Sequence, residues 1–295
     1  MENTVASYWD KFVGTHINSP DHWEANQVVQ QFQWKLITGN PFLNPVDWFM
    51  ASYGPFSKMA SICCGSGILE HHIATNYPAT QGGGGIDGFD ISQGSIDVAN
   101  SKCRDLSGVS FYVRDVNTDA WESNKYDAVF AHGALHHVSS LDFCLGQLSK
   151  SLRPSGCLYV NDYVGPRRFQ WSDLQLQLSQ ELFDSVPKQY RRNDRVTRCD
   201  ADALRKVDPS EAVCSDEIIE YVEKHFNIIR RIDRGGSILS PIFGSGCINP
   251  EIFTTPAGMD IIDQLCAKEK QLIDDGVLES NNVVIVASPK EVSTN

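Results

Sequence analysis

Ser61-Ile62-Cys63-Cys64-Gly65-Ser66-Gly67-Ile68-Leu69-Glu70 joins a short apolar run, Met59 to Cys63, to a helix-length segment through two glycines one residue apart. Glycine at such a turn lets the backbone come close to a ligand, because no Cβ stands in the way. In open α/β sheets ligands sit beyond the carboxyl ends of strands at the switch point, and a turn leaving a first strand belongs there. Many βα turns carry a glycine pair for backbone reasons alone, so the pair by itself does not establish a ligand site.

Support comes from Asp87-Gly88-Phe89-Asp90-Ile91-Ser92, which ends the next apolar run, Ile86 to Asp90, on an acidic side chain. A carboxylate at the end of a second strand, roughly 20 residues beyond the glycines, can accept two hydrogen bonds from ribose hydroxyls and so points to a nucleoside cofactor. The competing role for Asp90 is to cap a helix that starts near Gln93. A nicotinamide dinucleotide is disfavoured, since the third glycine of G-x-G-x-x-G is replaced by Glu70.

Outward from this pair, short apolar runs alternate with helix-length segments, the signature of a parallel sheet. Strands are predicted at Met59 to Cys63, Ile86 to Asp90, Val109 to Arg114, Tyr126 to Ala131 and Cys157 to Tyr163. Helices are predicted at Ile68 to Asn76, Gly94 to Cys103 and Leu141 to Leu152, the last closed by the turn Leu152-Arg153-Pro154-Ser155-Gly156. Before them, Trp23, Val28, Val29, Phe32 and Leu36 recur at helical spacing up to Gly39-Asn40-Pro41. After them come a polar segment from Gly165 to about Ser215, a helix from Asp216 to His225 and a strand from Asn227 to Ile232. A Gly235-Gly236 turn, an irregular stretch, a helix near Gly258 to Asp274, a last apolar run from Asn282 to Ala287 and a frayed tail from Ser288 complete the chain. The fold expected is α/β: a seven-stranded, mostly parallel, doubly wound sheet with helices on both faces. Its parts are a helical segment or lid over 1–57, a cofactor-binding core over 58–164, a helical cap inserted after the fifth strand over 165–215, and the rest of the core over 216–295. Gly82-Gly83-Gly84-Gly85 reads as a flexible turn before the second strand rather than a phosphate cradle.

Bulk properties narrow the function. A formal net charge of −12 works against general binding to a nucleic-acid backbone, whose affinity comes from phosphate neutralisation. No apolar run approaches the roughly 20 residues of a membrane span, so no membrane insertion is expected. The opening MENTVASYWDKF lacks the pattern of a secretory signal, which with nine scattered cysteines and no C-x-x-C pair predicts reduced thiols in the cytoplasm. The oligomeric state is left open, a homodimer included.

From Lys58 to Tyr163 the sequence resembles the class I S-adenosylmethionine-dependent methyltransferases, and four motifs arrive in their order. The resemblance implies S-adenosylmethionine as cofactor, with Cys64, Gly65 and Gly67 against its amino-acid part, Asp90 and Ile91 at the ribose, Asp115 and Val116 near the adenine, and His132 beside the sulfonium mainly through its backbone. Ala134-Leu135-His136-His137-Val138 and the Arg153-Pro154-Ser155-Gly156 turn are similar to the small-molecule branch. Two departures stand out: Ser61 where the family often has an acid, and Cys63 where it often has glycine. Asp162-Tyr163-Val164-Gly165-Pro166, Phe169-Gln170-Trp171 and Asp208-Pro209-Ser210-Glu211-Ala212 are more loosely similar to a bacterial subgroup associated with glycan or natural-product modification.

Methyl transfer from a sulfonium is an in-line displacement, so positioning and exclusion of water are the protein's main tasks. For an alcohol acceptor a base is needed, and His136 and His137 are the catalytic candidates by position and by the ordinary pKa of imidazole. The alternative is that one packs on the following helix and the other bonds a backbone carbonyl. His71-His72 has no carboxylate at metal-ligand spacing and reads as structural, and no metal is expected. Residues 165–206 carry nine Lys or Arg against six Asp or Glu, a solvated face or else an anion site in which Arg167 and Arg168 are the expected contacts. Tyr163 is expected to line the acceptor pocket, and Tyr8 and Trp9 either fold over the cofactor or pack in the core.

The reading is an O-methyltransferase for a small-molecule acceptor such as a sugar, glycan or secondary metabolite. The alternatives are an N- or C-methyltransferase, or a regulator that binds the cofactor without turnover. Nucleic-acid acceptors are disfavoured because neither an Asn-Pro-Pro-Tyr signature after the fourth strand nor a Pro-Cys nucleophile is present.

Overall fold

The chain, described here by a computed structural model over residues 4–11, 23–78 and 85–290, turns its apolar runs into one seven-stranded sheet. The strands are β1 (Lys58–Ile62), β2 (Gly85–Asp90), β3 (Val109–Val113), β4 (Tyr126–His132), β5 (Leu152–Tyr163), β6 (Phe226–Asp233) and β7 (Asn282–Pro289). Their order is β3-β2-β1-β4-β5-β7-β6. The first five run parallel, while β7 lies antiparallel between β5 and β6. Hence β1 to β6 all present their carboxyl ends at one edge. The chain reverses direction across the sheet between β1 and β4, which puts the switch point where the turns after those two strands meet.

The α-helices among the described residues are α1 (Thr4–Lys11), α2 (Gln27–Thr38), α3 (Pro45–Tyr53), α4 (Ile68–Asn76), α5 (Gln93–Cys103), α6 (Leu141–Ser151), α7 (Asp173–Phe183), α8 (Ala201–Val207), α9 (Ile218–His225), α10 (Leu239–Gly244) and α11 (Pro256–Asp274). Their ends follow local chemistry. Asn26 caps α2 by accepting from the Val28 and Val29 N–H groups, and Gly39 ends it at φ 80°. Ser92, not Asp90, caps α5.

Strand β4 shows why the centre of the sheet holds: Val129, Phe130 and Ala131 have no exposed surface, as a strand covered on both faces requires. On one face Phe130 and Tyr159 pack with Phe49 of α3 and Ile73 of α4. On the other, Val129 and Val160 meet Leu145 and Leu148 of α6 and Val222 of α9.

Three expectations are corrected. The turn Arg153 to Gly156 does not precede the fifth strand; β5 already begins at Leu152, and the turn is looped out where the register jumps from Tyr126–Leu152 to Ala128–Cys157. Ser288 and Pro289 are not frayed but pair with Asn227 and Phe226. The irregular stretch after Gly236 contains α10 and joins the segment after β5 in a second core, in which Phe183, Val186 and Tyr190 pack with Trp23, Val29, Ile242, Ile252 and Ile262. Gly82 to Gly84 and the last five residues lie outside the described residues.

Candidate functional site

At the end of β1 the chain takes three left-handed residues, Cys63 at φ 49°, Gly65 at 53° and Gly67 at 72°. Cys63 thus has the backbone of a glycine where the family often has one. Gly67 is required twice over, by its φ and because a Cβ there would lie 2.9 Å from both Ala99 Cβ and Phe111 Cζ. A Cβ on Gly65 would meet nothing within 4 Å, and the same holds for Gly133 at φ 59° just after β4. Two such glycines on either side of the switch point leave a cradle that side chains would fill and a ligand can enter.

Asp90 closes one side of this cradle. Its Oδ2 accepts the Gly65 N–H at 2.9 Å and its Oδ1 accepts the Ser92 N–H at 2.9 Å, so one carboxylate ties both loops together. Burial raises its pKa, and the Ser92 and Gly65 N–H groups act against the rise. Each oxygen keeps a lone pair for a further donor. Ile91 follows, half-buried. After β3, Asp115 Oδ1 accepts the Asn117 N–H at 2.9 Å, Val116 is buried, and Asn117 Oδ1 accepts the Ser139 and Ser140 N–H groups at 3.0 and 2.9 Å, linking the loops after β3 and β4.

Cys64 is half-buried; its N–H reaches Phe89 O at 3.0 Å, and all nine cysteines are free. The acid missing at Ser61 is present in another form: Glu70 of α4 is wholly buried and bonded to Ser61 Oγ, and burial pushes its pKa up to about 7.

Across the cleft, the 3-10 turn Leu135–His137 carries the two imidazoles. Asp162, buried near the end of β5, holds this turn: its Oδ2 accepts the Ala134 and Leu135 N–H groups at 2.9 and 2.7 Å and its Oδ1 meets His136 Nδ1 at 2.5 Å. Burial would lower the His136 pKa, but the Asp162 charge and hydrogen bond, with Glu211 Oε1 3.6 Å from Nε2, raise it to about 9. This direction favours the imidazolium form of His136 at neutral pH. The His137 pKa is lowered by burial and by the adjacent His136 charge. Its Nδ1 lies 3.2 Å from Ser210 Oγ, which donates to Asp208 Oδ1 at 2.7 Å. One ligand atom each of His136, His137 and Glu211 lie within 4.8 Å of one another, the one group of metal-ligand spacing among the described residues.

Helix α1 lies over both halves. Trp9 stacks edge-on to His137 and its indole N–H reaches Ser210 Oγ at 3.4 Å, while Asp10 Oδ1 accepts from Ser92 Oγ at 2.6 Å and the Gly94 N–H at 3.0 Å. His132 exposes its side chain at the end of β4 and stacks on Tyr159.

The remaining site expectations are corrected. Tyr163 is buried and donates to Pro166 O at 3.0 Å, so its hydroxyl does not face an acceptor. Arg167 is paired with Asp216 and Glu217, and Arg168 is buried, donating to the carbonyls of Asp208, Pro209 and Glu211. Arg168 shapes the Asp208–Glu211 loop rather than binding an anion. His72 bonds the Asp47 carboxylate at 2.8 Å and so joins α4 to α3. Sequence reasoning missed Asp10, Asn117, Asp162, Asp208, Ser210 and Glu211 as site residues, because only the fold brings them to the histidines and glycines.

A family model described as a methyltransferase domain matches residues 58–227. An uncharacterized methyltransferase of Schizosaccharomyces pombe is 30% identical over 138 residues, 44% of this chain and 46% of its own. A demethylmenaquinone methyltransferase of Tropheryma whipplei is 26% identical over 132 residues, 43% of this chain and 53% of its own. The chain thus spans about half the length of the curated relatives it matches. Among solved structures, geranyl diphosphate C-methyltransferase from Streptomyces coelicolor, in complex with Mg2+, geranyl diphosphate and S-adenosyl-L-homocysteine, shares the fold with a TM-score of 0.52 at 13% identity, covering 97% of each chain. A phosphoethanolamine N-methyltransferase of Haemonchus contortus has a TM-score of 0.51 at 16% identity, covering 98% of this chain and 61% of its own. No helix among the described residues is long and apolar enough to cross a membrane.

Proposed function

We propose that this chain, which belongs to the class I S-adenosylmethionine-dependent methyltransferases, methylates an oxygen of a small molecule such as a sugar, glycan or secondary metabolite. The observation that carries the reading is a division of labour across the switch point: open left-handed glycines with Asp90 on one side, and the His137 imidazole backed by Ser210 and Asp208 on the other. Bound S-adenosylmethionine supplies an electrophilic methyl group on a positively charged sulfur.

The chain's own residues do the rest. Gly65, Gly67, Asp90 and Asp115 bind and orient the cofactor, with Cys64, Ile91, Val116 and the His132 backbone beside it. His136 is a positioning residue: held as a cation by Asp162, it fixes the turn and keeps its neighbour neutral. His137 takes the proton of the acceptor's hydroxyl, and the Ser210–Asp208 pair steadies the imidazolium. Trp9 and α1 exclude water from the aligned groups. The acceptor is expected to be a small molecule and not a nucleic acid, given the net charge of −12.

The test is incubation of the purified chain with methyl-labelled cofactor and a metabolite extract, followed by mass spectrometry. A labelled O-methyl product formed by the wild type, and formed much more slowly by His137→Ala, supports the reading. Label on nitrogen or carbon, or an undiminished rate in the variant, refutes it.

A further inference from the structure

Strand alternation places His132 of β4, Tyr159 and Asn161 of β5, and Arg234 just beyond β6 on one face of the sheet at its carboxyl edge. His132 is the register partner of Asn161, Asn161 pairs with Val284 and Val284 with Ile232, so that Arg234 stands one step past the same row. Helix α2 covers this face and lowers Gln33 onto it: Arg234 Nη1 donates to Gln33 Oε1 and to Glu24 Oε1, each at 3.0 Å. The Arg234 charge and the neighbouring Asn161 side chain both act on the buried Tyr159 hydroxyl, against the effect of burial.

Among the described residues, eight buried side-chain polar atoms lack a hydrogen-bond partner, and four of them belong to this group: Gln33 Nε2, Tyr159 Oη, Asn161 Oδ1 and Arg234 Nε. Gln33 is 5% exposed and Tyr159 not at all. Buried polar groups are nearly always paired, so a knot of unpaired ones beside a ligand cleft indicates a partner that arrives from outside. Three of the four are donors and one sits on a guanidinium, which favours an oxygen anion. Glu24 and Gln33 hold the Nη1 side of that guanidinium, fixing its plane while Nε stays unpaired.

We propose that Arg234, Gln33 and Tyr159 form a subsite for a carboxylate on the methyl acceptor, with Asn161 receiving a donor beside it. The subsite rests on the methyltransferase reading only for the identity of its ligand as the acceptor. It lies on the β4–β5–β6 side, away from the Asp90 end that serves the cofactor.

The probe is 3,4-dihydroxybenzoate, compared with catechol, which lacks the carboxylate. Binding is followed by ligand-detected NMR on the full chain with S-adenosylhomocysteine present. The carboxylate is expected to improve binding by roughly tenfold, the size of one charge-assisted interaction. Tyr159→Phe is expected to weaken 3,4-dihydroxybenzoate by about fivefold while leaving the melting temperature unchanged or raised, since it deletes an unpaired buried hydroxyl. Arg234→Gln is expected to abolish the difference between the two probes; should it fail to fold, Tyr159→Phe still decides. Equal binding of both probes, no binding of either, or an unchanged affinity in Tyr159→Phe overturns the subsite and indicates that the knot holds ordered water. Retained S-adenosylhomocysteine binding in each of those cases leaves the cofactor reading intact.

Discussion

Trp9 stands edge-on to His137, ring centroids 5.1 Å apart and planes at 86°. The contact joins the first described helix to the residue assigned the proton transfer, and Asp10, the next residue, reaches the Asp90 side through Ser92 and Gly94. Trp9→Ala removes an aromatic pair worth about 0.5 to 1.5 kcal/mol and opens the site to water, so kcat/KM is expected to fall about tenfold with cofactor affinity little changed. Asp10→Ala is expected to do the reverse, weakening the cofactor first. Steady-state kinetics with calorimetry on both variants separates the two, and identical effects would contradict a helix with two distinct duties.

The two histidines carry opposite pH signatures. The folded pKa of His136, about 9, lies above its ordinary 6.5, so its stabilisation is complete below pH 6.5 and is lost as pH rises through about 9. Wild-type melting temperature is expected to decline over that window and His136→Gln to flatten the decline. His137, lowered, is neutral in the same range, so turnover is expected to rise on an acid limb below pH 6.5 and stay level above it. His137→Ala should reduce the plateau roughly a hundredfold. A limb near pH 9 that follows His136 would reverse the assignment. Because a protonated His136 already bridges Asp162 and Glu211, dialysis against a chelator is expected to leave turnover unchanged; loss restored by a divalent ion would reassign the cluster to a metal.

Glu70 has the same direction of linkage at lower pH. Its buried carboxyl has a pKa of about 7, above the ordinary 4.5, so the fold favours the protonated form and loses that contribution as pH rises from 4.5 through about 7. Glu70→Gln is expected to gain in melting temperature over the wild type above neutral pH and not at about pH 4. Parallel melting curves would show that Glu70 ionises without penalty.

The glycines of the first turn differ in kind. Gly67→Ala combines a left-handed φ with 2.9 Å contacts to Ala99 and Phe111, and is expected to destabilise the fold by about 2 to 4 kcal/mol in denaturant titration. Gly65→Ala has open space, so its stability loss is expected to be about 1 to 2 kcal/mol while cofactor binding falls steeply. If Gly65→Ala binds S-adenosylhomocysteine as the wild type does, the open space beside it is not the cofactor's.

The sheet was legible because β1, β4 and the carboxyl half of β5 are covered on both faces and so carry short apolar stretches, Met59-Ala60, Ala128 to Ala131 and Cys157 to Val160, while in β2 Ile86 and Phe89 flank a buried Asp87. The glycine turn and Asp90 were legible because each is fixed by local chemistry at a strand end. The turn at Arg153 to Gly156 was misplaced because Pro and Gly mark a chain reversal without showing that Leu152 has already joined the sheet. Asp162, Asp208, Ser210 and Glu211 acquire their meaning only from contacts with His136 and His137 across 26 to 75 positions of sequence, which no local pattern encodes. Arg167 and Arg168 misled for the same reason, since their carboxylate and carbonyl partners lie 40 to 50 residues further on.

Calorimetric titration of S-adenosylhomocysteine into the wild type and into Asp90→Ala decides whether a nucleoside lies across the Gly65 and Ser92 loops. Asp90 both joins the Gly65 and Ser92 loops and is assigned the ribose, through charge-assisted hydrogen bonds of about 1.5 to 3 kcal/mol each, so the variant is expected to bind ten- to a hundredfold more weakly or not at all. A wild type that takes up no S-adenosylhomocysteine, or a variant that binds it undiminished, would contradict the account.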